Sequence, residues 1–161
     1  MATQRCRCGW LGHPKRGCRC TPTELAHYAA RVSGPVLDRL DLQIEVPALT
    51  SEELLAARAG DTSAVVRERV IAARARQRAR GGFNAMLTHA ALRQCCALDA
   101  AGQRLIADAV VRGGMSARAV HRALRVARTI ADLAGEDRVS AMRLAEALQY
   151  RAYGVRRIQT P

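Results

Sequence analysis

The stretch SARAVHRALRVARTIADLAG, residues 116–135, decides how the rest of the chain is read. Ser116 stands where a hydroxyl can cap a helix. Val120, Ala123, Leu124, Ala127, Ile130, Ala131 and Ala134 then recur at helical spacing, and Gly135 ends the run. An apolar stripe this wide has to be covered by other elements, so a packed helical bundle is expected around it. The opposite side carries Arg118, His121, Arg122, Arg125 and Arg128. Arg122, Arg125 and Arg128 read as an ordinary polar face. Arg118 is different, because it falls in the first turn, where unpaired N–H groups and the helix dipole favour an anion. A cation there does little for the helix itself, which points to an external anion such as phosphate.

Working outward, Ser140 caps a last helix and Val139 is placed to staple onto Leu144. On the other side, Asp99 opens a helix to about Arg112, residues 88–95 form a short one, and Ser63 to Arg80 form a longer one with Val66, Val70, Ala73 and Gln77 on one side. Thr50 and Glu53 set up another short helix ending near Arg58. Thr21, Pro22 and Glu24 set up one over residues 21–32 that carries Leu25, Tyr28, Ala29 and Val32. Between these, Leu40, Leu42, Ile44 and Val46 alternate with polar residues and read as the one convincing strand. A lone strand leaves its backbone groups unpaired, and nothing else in the chain offers it a good partner. The expected architecture is mainly α. It has a Cys-rich knuckle over 1–20, a helix and strand over 21–48, a helical domain over 49–151 and a basic tail over 152–161.

The charge balance narrows the partners. Of 161 residues, 26 are Lys or Arg against 14 Asp or Glu, a net charge of +12, and Lys15 is the sole lysine. Guanidinium forks suit phosphate, so nucleic acid or nucleotide is the expected partner, with an arginine-rich genome as the plain alternative. Aromatic residues are sparse, which favours phosphate contact over base stacking. No apolar run is long enough to span a membrane and no signal-peptide core is present, so a cytoplasmic protein with unpaired cysteines is expected.

Two clusters carry possible chemistry. Cys6, Cys8, Cys18 and Cys20 bracket a loop containing His13, and four thiolates can enclose one tetrahedral zinc. The single-residue spacing within each pair is tighter than the usual knuckle, so free thiols and a disulfide stay open as readings. Arg74, Arg76, Arg78 and Arg80 form a basic row suited to DNA phosphates, or equally to a solvated helix face. Cys95 and Cys96 read as core, and the scattered histidines form no catalytic constellation.

The order of CRCG, GHP and CRCT at the start, SGPVLDRLDL at 33–42, VRERV at 66–70, SARAVHRALRVARTIADL and LAEALQYR at 144–151 resembles the C-terminal part of the magnesium-chelatase-like AAA+ ATPases, over about residues 5–151. The resemblance implies a helical lid preceded by the last pieces of the ATPase core. It implies that Arg39, in Leu-Asp-Arg, is an arginine finger reaching a neighbouring subunit's nucleotide, and that Arg118 is a sensor at the γ-phosphate of ATP bound with magnesium. The partners implied are a core bearing the Walker motifs or homologous ring subunits, together with DNA, in ATP-driven branch migration during DNA uptake and recombination.

The sequence departs from that pattern in two places. No G-x-x-x-x-G-K-[ST] loop occurs, and Gln4 stands where the family carries an asparagine. A truncated product, an isolated domain or one piece of a split protein is therefore expected, inactive as an ATPase by itself because nothing would hold the β- and γ-phosphates. A stand-alone DNA-binding module and a non-functional remnant remain as alternatives.

Overall fold

The computed structural model describes residues 2–31, 34–56 and 60–157, with the backbone alone for 152–157. Its helices are α1 (Pro22–Ala30), α2 (Gly34–Arg39), α3 (Ser51–Leu55), α4 (Ser63–Ala79), α5 (His89–Cys95), α6 (Ala100–Val111), α7 (Ala117–Leu133) and α8 (Ala141–Arg157), with a single 3₁₀ turn at Asn84–Met86. Among the described residues there is no strand, so the chain is mainly α as expected. Val32 and Ser33, expected to end α1, and Arg58, expected to end α3, lie outside the described residues.

Local chemistry sets most helix ends. Thr21 with Glu24, and Thr50 with Glu53, form reciprocal capping boxes, while Thr62, Thr88, Asp99 and Ser116 each accept a hydrogen bond from the N–H three residues on. At the far end of α7, Gly135 adopts φ 75°. That lets the Glu136 N–H reach the Ala131 carbonyl at 2.8 Å and the Gly135 N–H reach that of Asp132 at 3.1 Å. A side chain at 135 would strain this left-handed turn.

α7 is the centre of the bundle, in contact with α4, α5, α6 and α8. The core is small: Leu87, Leu92, Cys96, Ala127, Ala131, Val139, Leu144 and Ala147 are buried together, with Leu124 and Ile130 packed against them. The alanines of α7 and α8 let those helices approach closely, and Val139 and Leu144 share the core as the expected staple requires. Covering is uneven, however. Val66 and Val70, expected on the buried side of α4, are about two-fifths exposed, and only Ala73 and Gln77 of that row are buried.

Three segments differ from the sequence reading. Residues 34–39 form α2, with Pro35 tolerated in its first turn. The expected strand does not form: its alternating residues Ile44 and Val46 are 68% and 86% exposed. The physical reason is the missing partner, since a strand gains its hydrogen bonds only from a neighbour. α8 also runs past residue 151, into the basic tail expected from 152, as far as Arg157.

Candidate functional site

The turn that follows α2 is where the two arginines singled out by sequence are brought to one region. The Ser116 hydroxyl, at the mouth of α7, donates to the Asp38 carboxylate at 3.2 Å. One turn into α7, Arg122 donates to the Arg39 carbonyl at 2.8 Å and pairs with Asp41 at 2.7 Å. From α8, Arg151 donates to the Leu40 carbonyl at 2.9 Å and the Asp38 carbonyl at 3.3 Å, and its guanidinium lies 3.8 Å from the Asp38 carboxylate. The Gln43 N–H closes the arrangement on the Tyr150 carbonyl at 2.8 Å. Residues 38–43 are thus clamped by both long helices, and Arg151 is only 6% exposed while it does this. Burial lowers the Arg151 pKa, and Asp38 and Asp41 push it back up, so the charge stays in place.

The side chains of Arg39 and Arg118 themselves are exposed and have no ion pair or hydrogen bond among the described residues. Each sits next to a clamped group, Arg39 beside Asp38 and Arg118 two residues after Ser116. Arg122, read from sequence as part of an ordinary polar face, and Arg151, which no sequence reading singled out, both hold the clamp. The signal for Arg122 was its spacing of four from Arg118, which puts both on one helix face, and the signal for Arg151 was its place at the end of LAEALQYR.

Arg128 overturns the reading of a solvated polar face most plainly: it is 0% exposed. It donates to the backbone carbonyls of Glu136 and Asp137, the latter at 2.8 Å, and so ties the α7–α8 turn to the core. Asp132 Oδ1 lies 3.1 Å from Arg128 Nη2 at an angle that makes no hydrogen bond, while its other oxygen accepts from Arg80 and, at 2.8 Å, from Asn84. Arg125 likewise donates inward, to the Leu87 carbonyl at 2.9 Å.

The basic row of α4 is largely engaged within the chain. Arg80 reaches inward to the buried Asp132, Arg76 pairs with Asp137 at 2.7 Å, and Arg74 lies over the Phe83 ring at 5.4 Å. Arg78 alone of the four is exposed without such a partner among the described residues. A two-residue spacing on a helix sends neighbours to different sides, and the bundle takes up the inward ones.

At the N-terminus the Sγ atoms of Cys6, Cys8, Cys18 and Cys20 lie within 4.8 Å of one another. Separations of 3.4 Å for Cys6–Cys8, 3.6 Å for Cys8–Cys18 and 3.7 Å for Cys6–Cys18 match the edge of about 3.8 Å that a tetrahedron with Zn–S near 2.3 Å requires. Donor type and number therefore fit zinc, with three sulfurs at tetrahedral spacing and Cys20 within 4.8 Å of them. Gly9 and Gly12, both at φ 79°, make the loop turns, and the Leu11 N–H donates to the Cys6 sulfur at 3.3 Å. A Cβ at Gly12 would run into the Arg5 guanidinium, which crosses it to pair with Glu45. The backbone N–H groups of Arg19 and Trp10 pull the Cys8 thiol down to about 6. The Cys20 N–H lowers that of Cys18, but burial and the neighbouring sulfurs outweigh it and push the value up to about 12. None of the six cysteines is in a disulfide.

A helical bundle whose central helix opens on Ser-x-Arg, set behind the clamped Leu-Asp-Arg turn, is of the lid-domain class found at the C-terminal side of AAA+ ATPases. The pattern described as "Magnesium chelatase, subunit ChlI" matches residues 1–54, and that described as "Magnesium chelatase, subunit ChlI C-terminal" matches residues 60–151. The chain belongs to the magnesium chelatase subunit ChlI family. It is 44% identical over 137 residues to YifB of Salmonella typhimurium and 44% identical over 136 residues to the competence protein ComM of Haemophilus influenzae, in each case over 83% of this chain and 27% of the relative. It is 38% identical over 145 residues to a protein of Mycobacterium bovis, Mb2921c, over 87% of this chain and 29% of that one. The chain thus spans under a third of the length of these curated relatives. No helix among the described residues is long and apolar enough to cross a membrane.

Proposed function

We propose that this chain is the arginine-finger and lid portion of a magnesium-chelatase-like AAA+ ATPase of the YifB and ComM kind, acting in the cytoplasm on DNA. The observation that carries this reading is the clamp. Arg39 and Arg118 are the exposed, unpaired cations beside one node, and Arg122 and Ser116 link that node to a single helix. In this reading Arg118 meets the γ-phosphate of nucleotide held by its own core, and Arg39 reaches across to a neighbouring subunit's nucleotide. Preorganised guanidinium groups at developing phosphate charge are the main contribution a lid can make to phosphoryl transfer. Because α7 bears Arg118 and also holds the Arg39 turn, nucleotide contact at one arginine would be transmitted to the other. The knuckle, whose four sulfurs fit zinc, braces the same region through Arg5 and Glu45.

In this reading the magnesium that accompanies ATP is held by the core together with the phosphates. ATP hydrolysis then draws on a core with a Walker loop and acidic metal ligands. The test is phosphate release by a Walker-bearing core with and without this chain. A rise is expected, with Arg39→Ala or Arg118→Ala cutting it by 10-fold or more; no rise with a core that co-purifies with the chain would sink the reading. Domain limits follow the same scheme: knuckle over 1–20, core remnant over 21–48 and lid over 49–151.

The net charge of +12 favours a second reading, a nucleic-acid-binding module that acts without ATP. Binding of that kind weakens steeply with salt, because phosphate contacts release counterions. A chain that fails to retard DNA even at low salt would eliminate it.

A further inference from the structure

We infer that this chain's contact with nucleic acid lies on the cysteine knuckle, where Lys15, Arg16 and Arg19 grip the phosphates of a single strand beside Trp10, and not on the arginine row of α4. The inference rests on the nucleic-acid reading above, whose site it relocates.

Two of the four α4 arginines, Arg76 and Arg80, are held by carboxylates within the fold, which leaves Arg74 and Arg78 exposed and four residues apart. The knuckle gathers more such cations in an equally short stretch. Residues 1–20 hold five cations and no acid. Arg5 is engaged by Glu45 and Arg7 faces Glu24 at 3.9 Å. Lys15, Arg16 and Arg19 are exposed and have no ion pair among the described residues. With zinc bound, four thiolates and the ion sum to −2, so the segment as a whole remains positive.

The three cations fall within five residues, on a loop whose ends the sulfurs hold together. Arg16 is also oriented. Its guanidinium carbon lies 4.3 Å from the Trp10 ring centroid, and the ring is held edge-on by His13 at 5.0 Å. A guanidinium over an indole keeps its N–H donors available at its rim, where a phosphate can meet two of them at once. The depression beside it is lined by Cys8, Trp10, Arg16, Gly17, Cys18 and Arg19, with no carboxylate to repel a phosphate. A compact positive surface with a single aromatic ring fits a short run of unpaired nucleotides, which can bend onto it and lay a base against the indole.

Trp10 is the chain's sole tryptophan, so its emission reports this surface and no other. The zinc-loaded full chain is titrated with a labelled 12-nucleotide oligothymidylate, reading Trp10 emission and label anisotropy together. The expected result is saturable Trp10 quenching with the same midpoint as the anisotropy change. Engaging three phosphates should give a slope of log K against log salt of about −2. Arg16→Gln with Arg19→Gln should weaken binding 10-fold or more, and Arg74→Gln with Arg78→Gln should stay within twofold, with circular dichroism verifying that each variant keeps its helices.

Anisotropy change without a Trp10 response would overturn the inference, as would a larger loss from the α4 pair, no binding at low salt, or equal affinity for inorganic polyphosphate of matched charge. Tighter binding of a 12-base-pair duplex would overturn the single-strand assignment. A core that gains no ATPase activity from the chain would count against the lid reading and leave these measurements unaffected.

Discussion

Arg128 and Asp132 show how a residue's neighbours decide its role. One turn apart on α7, both fully buried in their side chains, they form an ion pair that Arg80 and Asn84 extend. Removing one member strands the other's charge in a place without water. Asp132→Ala should therefore cost about 3–5 kcal/mol in urea unfolding, and replacing Arg128 as well should not restore it, because Arg80, Asn84 and the carbonyls of Glu136 and Asp137 would be left without partners. His121 gives a second residue-scale expectation. Burial, then the nearby His89, Arg125 and Arg93, lower its pKa, so the folded state disfavours the protonated ring. A depressed folded pKa means the associated stability is present above the unfolded value near 6.5 and is lost as pH falls through the folded one. The melting temperature should drop on acidification from pH 7.5 to pH 5, and His121→Gln should flatten the part of that drop due to this ring.

At the scale of elements, capping was legible in advance because it is local. Hydroxyl or carboxylate, three-residue spacing and a following apolar run all lie within one turn of chain, and Thr21, Thr50, Asp99 and Ser116 perform as read. The clamp on residues 38–43 was not legible, since it joins positions about 80 and 110 residues apart, as between Arg122 and Arg39 and between Arg151 and Leu40. The same non-locality misled the strand reading. Alternation of Leu40, Leu42, Ile44 and Val46 reports a pattern suited to a sheet, but the partner has to come from elsewhere. If α7 and α8 hold this turn, Arg122→Ala should speed amide exchange at Leu40 to Gln43 by about 10-fold, the worth of one hydrogen bond to a charged group. Helices α4 and α6 should be unaffected; uniform acceleration across the bundle would mean that the contact serves general stability instead.

For the molecule as a whole, the knuckle and the bundle draw stability from different sources. The bundle has its own apolar core around Leu92 and Leu144, while among the described residues of the knuckle only Cys6 is buried. A segment without a core would depend on a bound ion to hold its four sulfurs together. Purified protein should carry one zinc per chain by elemental analysis. Chelation should abolish ordered amide signals from residues 5–20 while shifting the bundle's melting temperature by less than about 4 °C, the effect of under 1 kcal/mol for a domain of this size. Equal loss of both parts would show that they fold as one unit.

What the sequence by itself determined is whatever short-range physics fixes: helices from the 3.6-residue period, their starts from hydroxyl and carboxylate caps, and the overall positive charge. The tertiary structure alone decided which arginines face inward and which remain free. A guanidinium is long enough to pair with any carboxylate or carbonyl the fold brings near, and whether one arrives depends on how distant segments pack. That is why Arg128, Arg80, Arg122 and Arg151 became structural, while Arg39 and Arg118 remained exposed beside a common node.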